Sequence, residues 1–154
     1  MRKNKILAGY VLLAVMIFLL DRVTKWLVLL NLEDTYHVTS FLSFDLVMNR
    51  GISWSLFHST SVLIFMVLTA FIACIIVGLT VYTIRRWYQG HMIFGEVLTL
   101  SGALSNFIDR IIYGGVIDFI VVSVGGWTWP IFNVADCSIV LGILLMGLMM
   151  YRAS

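Results

Sequence analysis

One segment of this chain restricts its fold more than any other. Residues 61–84 contain no charged side chain over 24 positions, which is enough helix to cross a hydrocarbon layer of about 30 Å at about 1.5 Å per residue. The composition agrees, because 61% of the 154 residues are hydrophobic and only 12% are charged, against about 25% charged in a typical soluble domain. The sequence therefore predicts a single integral membrane domain over residues 1–154.

The apolar segments predict a mainly α fold built as a four-transmembrane-helix bundle. The predicted spans are residues 6–30, 61–84, 91–113 and 133–151, and the extracytoplasmic segments are residues 31–60 and 114–132. The third span is the least apolar, because it holds Glu96, Asp109 and Arg110. Basic residues mark the cytoplasmic side of a membrane protein, and six of them fall on the side that both termini share: Arg2, Lys3, Lys5, Arg85, Arg86 and Arg152. Both termini are predicted to be cytoplasmic.

Between the spans the sequence changes from helical to strand-like patterning. Residues 41–48 alternate loosely, residues 116–124 are rich in β-branched residues, and Gly125-Gly126 follows the second run as a turn. An open strand edge cannot face hydrocarbon, so the two runs are expected to pair with each other. They predict a small extracytoplasmic sheet at the membrane surface, where Trp127 and Trp129 would lie at the headgroup level.

The most polar part of the chain is residues 102–136, which contain Asp109, Asp118 and Asp136 between two predicted spans. Ionisable groups at membrane depth cost about 2.5–3.5 kcal/mol or more and survive where they face a protein interior or water. Spacings of three and four predict that one helix stripe faces the protein: Gly102, Asn106, Asp109, Arg110 and Tyr113. The stripe indicates either a functional site or a polar seam that holds the helices together.

Two of these acids are candidates for acid–base chemistry. Asn133 and Asp136 have the spacing of a helix N-cap and its capping-box partner, which is a sufficient structural reason for Asp136. Asp118 lies in an apolar strand, where desolvation favours its protonated form. If the two carboxyls meet, they can share a proton and activate water, as in aspartic peptidases. Two acids 18 residues apart are weak evidence alone.

A further pair of charges lies near the end of the first predicted span. Asp21 and Lys25 are four residues apart, in the favourable order for an ion pair on one helix face. The spacing is equally consistent with an interfacial pair that ends the span and with a pair that belongs to a site.

Five short motifs then resemble the signature boxes of one family, the lipoprotein signal peptidases or signal peptidase II. In chain order they are DRVTK, NRGISW, GALSNFIDR, GGVIDF and WPIFNVAD. Two positions depart from the family pattern. Ser105 stands where the family usually has Gly, and Ile52-Ser53 stands where small residues such as Ala are more common.

The resemblance implies a fold, an activity and a set of site residues. It implies four membrane helices with a small extracytoplasmic β-cradle, in which an aspartyl dyad cleaves diacylglyceryl-modified prolipoproteins before the lipidated cysteine. Asp118 and Asp136 would be the dyad. Residues that bind substrate or position the dyad would be Asn49, Asn106, Arg110 and Asn133, with Asp21, Lys25 and Asp109 supporting the site.

The same resemblance implies partners and a location. It implies no metal and no cofactor, inhibition by cyclic peptide antibiotics that imitate the substrate, contact with membrane lipid, and a place in the bacterial cytoplasmic (inner) membrane with the active site at the extracytoplasmic face. The residues agree about metals, since Cys74, Cys137 and the three histidines lack metal-ligand spacing.

Other classes of protein remain as alternatives. A small four-span proton-coupled transporter would use Glu96, the one acid predicted on the cytoplasmic half. A non-enzymatic membrane scaffold would need neither Asp118 nor Asp136. A net charge of +2 with scattered basic residues argues against nucleic-acid binding.

Overall fold

A computed structural model describes residues 2–51 and 61–153; the Ile52-Ser53 departure lies outside these ranges. The chain forms, in order, α1 (Arg2–Asn31), β1 (Tyr36–His37), β2 (Leu42–Asn49), α2 (Val62–Tyr88), α3 (Phe94–Tyr113), β3 (Val116–Val124), β4 (Trp127–Thr128) and α4 (Val134–Ala153). Each predicted span therefore overlaps one helix. Helix α1 begins four residues before its predicted span, α2 ends four residues after its own, and α3 begins three residues later than predicted.

Three of the described helices are long and apolar enough to cross a membrane. They comprise residues Lys3–Asn31, Val62–Tyr88 and Val134–Tyr151. Helix α3 does not reach this standard, because its 20 residues carry Glu96, Asp109 and Arg110. Length and composition therefore confirm a helical membrane protein with three membrane-capable helices. They do not confirm the prediction of four spans.

The strands form one antiparallel sheet in the order β1-β2-β3-β4. The predicted pairing of the two strand-like runs is confirmed, with Val47 opposite Asp118 and Asn49 opposite Val116. The predicted turn is also confirmed, since Gly125 and Gly126 have φ of 60° and 82° and join β3 to β4. Two consecutive positive φ angles are what a two-residue hairpin requires, and glycine accepts them without strain.

The burial pattern is the reverse of that in a soluble protein. The largest fully buried side chains include Lys25, Glu96, Asn133, Asp21 and Asp109, whereas the outer faces of α1, α2 and α4 expose large apolar residues. Hydrocarbon can solvate an apolar face, but polar groups must find partners inside the protein. The largest of the buried polar residues therefore lie in the interior on α1, on α3 and directly before α4.

Close packing between α3 and α4 depends on glycines. A Cβ added at Gly142 would lie 2.5 Å from the Gly95 carbonyl oxygen and 2.7 Å from the Thr99 nitrogen, and one added at Gly102 would meet the Ala135 backbone. Small residues at membrane-helix interfaces let the two backbones approach closely. This contact holds the start of α4 against α3.

We expect Gly142→Ala to destabilise the protein by about 1–3 kcal/mol, as overpacking does, because the new methyl group would meet backbone atoms that cannot turn aside. Gly147→Ala is the matched control on the same helix, since nothing lies within 4 Å of the place that its new methyl group would take. Thermal unfolding in detergent should show a lower Tm for the first variant and an unchanged or slightly higher Tm for the second. Equal Tm values would contradict the packing argument.

Candidate active site

The start of α4 carries the predicted capping box. The Asp136 N–H donates to Asn133 Oδ1 at 2.8 Å, and the Asn133 N–H donates back to Asp136 Oδ2 at 3.1 Å. This reciprocal pair satisfies two of the backbone donors that a helix N-terminus leaves open. The capping-box prediction is confirmed, and it fixes one oxygen of the Asp136 carboxyl.

Strand β3 places Asp118 beside this helix start because the chain returns on itself. After the Gly125-Gly126 turn, Phe132 forms a bridge with Ile120, in which the Ile120 N–H donates to the Phe132 carbonyl at 2.8 Å and the Phe132 N–H donates to the Ile120 carbonyl at 3.1 Å. The residue after Phe132 is Asn133. The bridge therefore brings Asn133 next to Asp118, although the two are 15 residues apart.

Three asparagines connect the two carboxyls. Asn133 Nδ2 donates to Asp118 Oδ1 at 2.7 Å, and Asn49 Nδ2 from β2 donates to Asp118 Oδ2 at 2.9 Å. Asn106 Nδ2 from α3 donates to Asp136 Oδ1 at 2.8 Å. Each of the four carboxyl oxygens thus has one donor and keeps a lone pair free for a proton or for water. The structure brings together the five residues predicted here.

Asp118 is in surroundings that disfavour a negative charge. Its side chain is 3% exposed, and burial, with the neighbouring charge of Asp136, raises the pKa of the Asp118 carboxyl from its ordinary 3.8 to about 7. The hydrogen bonds from Asn49 and Asn133 and the charge of Lys25 act in the opposite direction and are weaker. The sequence-based expectation of a protonated Asp118 agrees with this shift.

Behind the pair lies a network of fully buried charges centred on Lys25. Its ammonium group contacts Asp21 Oδ2, Asp109 Oδ2 and Asn106 Oδ1, each at 2.7 Å. An ammonium has three donors, and here each meets an acceptor. The predicted Asp21–Lys25 ion pair is confirmed, and it belongs to the interior rather than to the end of a span, since both side chains are 0% exposed.

The two acids of this network hold the backbone directly before the two candidate acids. Asp21 Oδ1 accepts the N–H of Ala135, the residue before Asp136, at 2.8 Å. Asp109 Oδ2 accepts the N–H of Ile117, the residue before Asp118, at 3.3 Å. Because Lys25 joins Asp21 to Asp109, the network links the position of β3 to that of α4.

Arg110 extends the site toward β2. One guanidinium nitrogen donates to the Gly51 carbonyl, and the guanidinium lies over the Phe65 ring at 5.7 Å. The other terminal nitrogen, Nη1, is buried and has no hydrogen-bond partner among the described residues. A buried donor without a partner is costly.

A cavity of about 750 Å³ opens beside the carboxyls. Its polar end is formed by Asn49, Asn106, Arg110, Asp118 and Asp136. The rest of its wall is mainly apolar and comes from α2, α4, the segment before α4, and one residue each of α3 and β3: Ile72, Ile75, Ala103, Val116, Trp129, Pro130, Ile131, Phe132, Cys137, Ile139, Val140, Leu141 and Leu144. A few polar groups at one end of an apolar cleft are typical of a ligand-binding site.

One residue of the predicted α3 stripe is not buried, and two contacts of the site were not predicted from the sequence. Tyr113 is the last residue of α3. It is 48% exposed and does not face the interior. Arg22 was not predicted as a site residue, yet it forms an ion pair with Asp109. The motifs mark Ser105 only as a departure from the family pattern, yet its hydroxyl donates to Asp21. Both contacts join different helices, so spacing within one helix could not indicate them.

Known proteins resemble this chain over almost its whole length. The family described as Signal peptidase (SPase) II matches residues 13–152. The lipoprotein signal peptidase of Bacillus subtilis is 33% identical over 152 residues, covering 92% of each chain. That of Listeria monocytogenes is 32% identical, covering 89% of each chain.

Two solved structures also resemble this chain over most of its length. A bacterial membrane enzyme determined by the in meso method at 2.3 Å is 26% identical, with a TM-score of 0.79 over 94% of this chain and 88% of the other. A second such enzyme, determined at 1.9 Å, is 28% identical, with a TM-score of 0.76 over 96% and 95%. The chain therefore belongs to the signal peptidase II family.

Proposed function

We propose that Asp118 and Asp136 are the catalytic pair with which this family member cuts diacylglyceryl-modified prolipoproteins before the lipidated cysteine. As a signal peptidase II, the chain is a membrane aspartic endopeptidase that removes signal peptides in lipoprotein maturation. The assignment of the pair rests on one observation above all. Asn133 bonds both carboxyls at the polar end of the cavity, through Nδ2 to Asp118 and through its N–H to Asp136.

The pair works as acid and base on a water molecule held between the two carboxyls. The ionised carboxylate takes a proton from the water, whose oxygen attacks the scissile carbonyl carbon, while the protonated carboxyl donates its proton to the carbonyl oxygen. A proton then passes to the leaving nitrogen as the C–N bond breaks. One shared proton is sufficient, and the pKa of about 7 for Asp118 keeps that proton available at neutral pH.

The neighbouring polar groups position the substrate. Beside the pair, the cavity is lined by Asn49, Asn106 and Arg110. They would bind backbone carbonyls on the two sides of the scissile bond, which holds that bond in line with the attacking water. Such placement contributes to catalysis without any chemistry of its own.

The apolar wall of the cavity suits a substrate that carries a lipid and is inserted in the membrane. Helices α2 and α4 flank the cavity and present Ile72, Ile75, Val140 and Leu144 to it, while their other faces are apolar. A substrate whose signal segment lies in the bilayer can enter sideways, with no transfer through water. Cyclic peptide antibiotics that imitate the substrate would compete for the same cavity.

The proposal includes a placement in the membrane. Helix α3 also spans the membrane, and its charged residues Glu96, Asp109 and Arg110 are buried inside the protein. Both termini face the cytoplasm, and the sheet forms the extracytoplasmic β-cradle at the surface of the bacterial inner membrane. The position of Lys3, Lys5, Arg85 and Arg86 at one end of α1 and α2 supports this orientation.

The transporter alternative is not supported. The family is one of peptidases, and Glu96, the residue that a transporter was predicted to use, is 1% exposed and pairs with Arg86 at 2.8 Å. This contact explains Glu96 as a structural ion pair between α2 and α3.

The experiment that tests the function compares two substrates. The purified protein in lipid or detergent should cleave a synthetic prolipoprotein peptide that carries diacylglyceryl-cysteine, directly before that cysteine, and should leave the same peptide without the lipid uncut. The product is identified by mass spectrometry. Cleavage of both peptides at similar rates would overturn the proposed substrate class, and cleavage of neither by folded protein would overturn the activity.

A further inference from the structure

Ser105 lies on α3 and contacts the buried charge network next to the proposed catalytic pair. Its side chain is 0% exposed, and its hydroxyl donates to Asp21 Oδ2 at 2.6 Å. Most buried hydroxyls of the described helices instead bond a carbonyl of their own helix, as Ser101 does to Val97 at 2.7 Å. Ser105 is different because its hydrogen bond crosses to α1.

Asp21 transmits this contact to α4. Its Oδ1 accepts the Ala135 N–H at 2.8 Å, while its Oδ2 receives both Ser105 and Lys25. A carboxylate that is completely buried needs several donors to stay in one orientation. Without the hydroxyl, Lys25 would be the one remaining partner of Oδ2 within the part of the chain that the structure describes.

A second route leads from the same carboxylate to the same catalytic residue. Asn106 Oδ1 accepts from Lys25 at 2.7 Å and from Asn133 Nδ2 at 3.2 Å. Together these bonds orient the amide so that Nδ2 faces Asp136 Oδ1 at 2.8 Å. If Oδ2 of Asp21 loses a donor, Lys25 is drawn toward it and away from Asn106. Both routes end at Asp136, one through its backbone and the other through its side chain.

We propose that Ser105 is a positioning residue for cleavage: its hydroxyl holds Asp21 so that the start of α4 and the Asn106 amide keep Asp136 in its working orientation. This inference rests on the proposed role of Asp136. It gives a function to the position at which this chain departs from the usual Gly of the family.

The test compares Ser105→Ala with Ser101→Ala, which removes a buried hydroxyl from the same helix one turn earlier. For Ser105→Ala we expect kcat for the lipidated peptide to fall by about tenfold, since small misplacements of a reacting group cost up to about 10²-fold, with KM within about twofold. Ser101→Ala should keep both constants. Equal kcat values for the two variants would overturn the inference.

Ser105→Gly separates the hydrogen bond from packing. Glycine leaves room for a water molecule beside Asp21 and Lys25, which are polar partners of the kind that a buried water needs, whereas the methyl group of alanine occupies that space. We expect Ser105→Gly to retain more activity than Ser105→Ala, although glycine is less favourable in a helix than alanine. The opposite order of activity would mean that packing alone is what Ser105 supplies.

The two proposals fail in different ways. Unaltered protein assayed beside the variants reports on the peptidase activity, and Asp136→Asn reports on the role of Asp136. Active protein with an unaffected Ser105→Ala would overturn only the role of Ser105. Active Asp136→Asn would overturn the catalytic assignment, and the inference about Ser105 with it.

Discussion

Asp118→Asn and Asp136→Asn should each abolish cleavage of the lipidated peptide. A general acid or base contributes about 10²–10⁴-fold to a rate, and in the proposed mechanism one carboxyl takes a proton from the water while the other donates a proton to the scissile carbonyl oxygen. Asparagine keeps the size of the side chain but can neither take nor give the proton. The loss should therefore appear in kcat, measured as initial rates of peptide cleavage by protein in lipid or detergent.

The control for this prediction is Asp45→Asn. Asp45 lies on β2, the strand that also carries Asn49, but it does not line the cavity, so the same substitution there should leave kcat within about twofold. All three variants should accumulate as folded protein, shown by size-exclusion chromatography and thermal unfolding. Cleavage retained by either catalytic variant would rule out the assignment of the pair.

The pH dependence of the unaltered protein follows from the same pair. Because the pKa of Asp118 is raised to about 7, the shared proton is present below that pH and is lost above it, so kcat should decline as pH rises through about 7. The stability of the folded protein changes with pH in the same direction as kcat. The folded state holds this proton more tightly than the unfolded state, so Asp118 contributes stability at low pH that is lost as pH rises from about 4 to about 7.

Lys25→Met should have the largest effect on stability. The ammonium group is 0% exposed and, in residues 2–51 and 61–153, is the one cation that contacts both Asp21 and Asp109. Removing one partner from a buried ion pair costs about 3–5 kcal/mol, because the remaining charges are left without compensation. Arg22 would still hold Asp109, but Asp21 would lose the cation that it contacts.

The experiment is thermal unfolding of the purified variant beside Lys5→Met. Lys5 is an exposed residue of the same helix, so its replacement should leave the Tm unchanged. Lys25→Met should show a much lower Tm or fail to accumulate. Lys25→Arg should not restore stability, because a planar guanidinium is larger and cannot direct three donors from one nitrogen. A normal Tm for Lys25→Met would contradict the role of the buried network.

Much of this protein is determined locally and can therefore be derived from its sequence. The long uncharged runs identify the membrane-capable helices, the paired glycines identify the hairpin, and the Asn133–Asp136 spacing identifies the capping box. The four-residue spacing of Asp21 and Lys25 likewise predicts their ion pair. Each of these depends on residues within a few positions of one another, where helix and turn geometry fix which groups can meet.

The assembled site was decided by the tertiary structure. The register that sets Val47 opposite Asp118, and the Ile120–Phe132 bridge that brings Asn133 to Asp118, depend on contacts between strands that no local spacing encodes. Packing also determined which groups of α1 and α3 meet, so that Arg22 reaches Asp109 and Ser105 reaches Asp21, while Tyr113 is left at the surface. In a membrane, hydrocarbon cannot satisfy polar groups, so the charges must find one another inside the protein, and the partner that each one finds is set by how the helices pack.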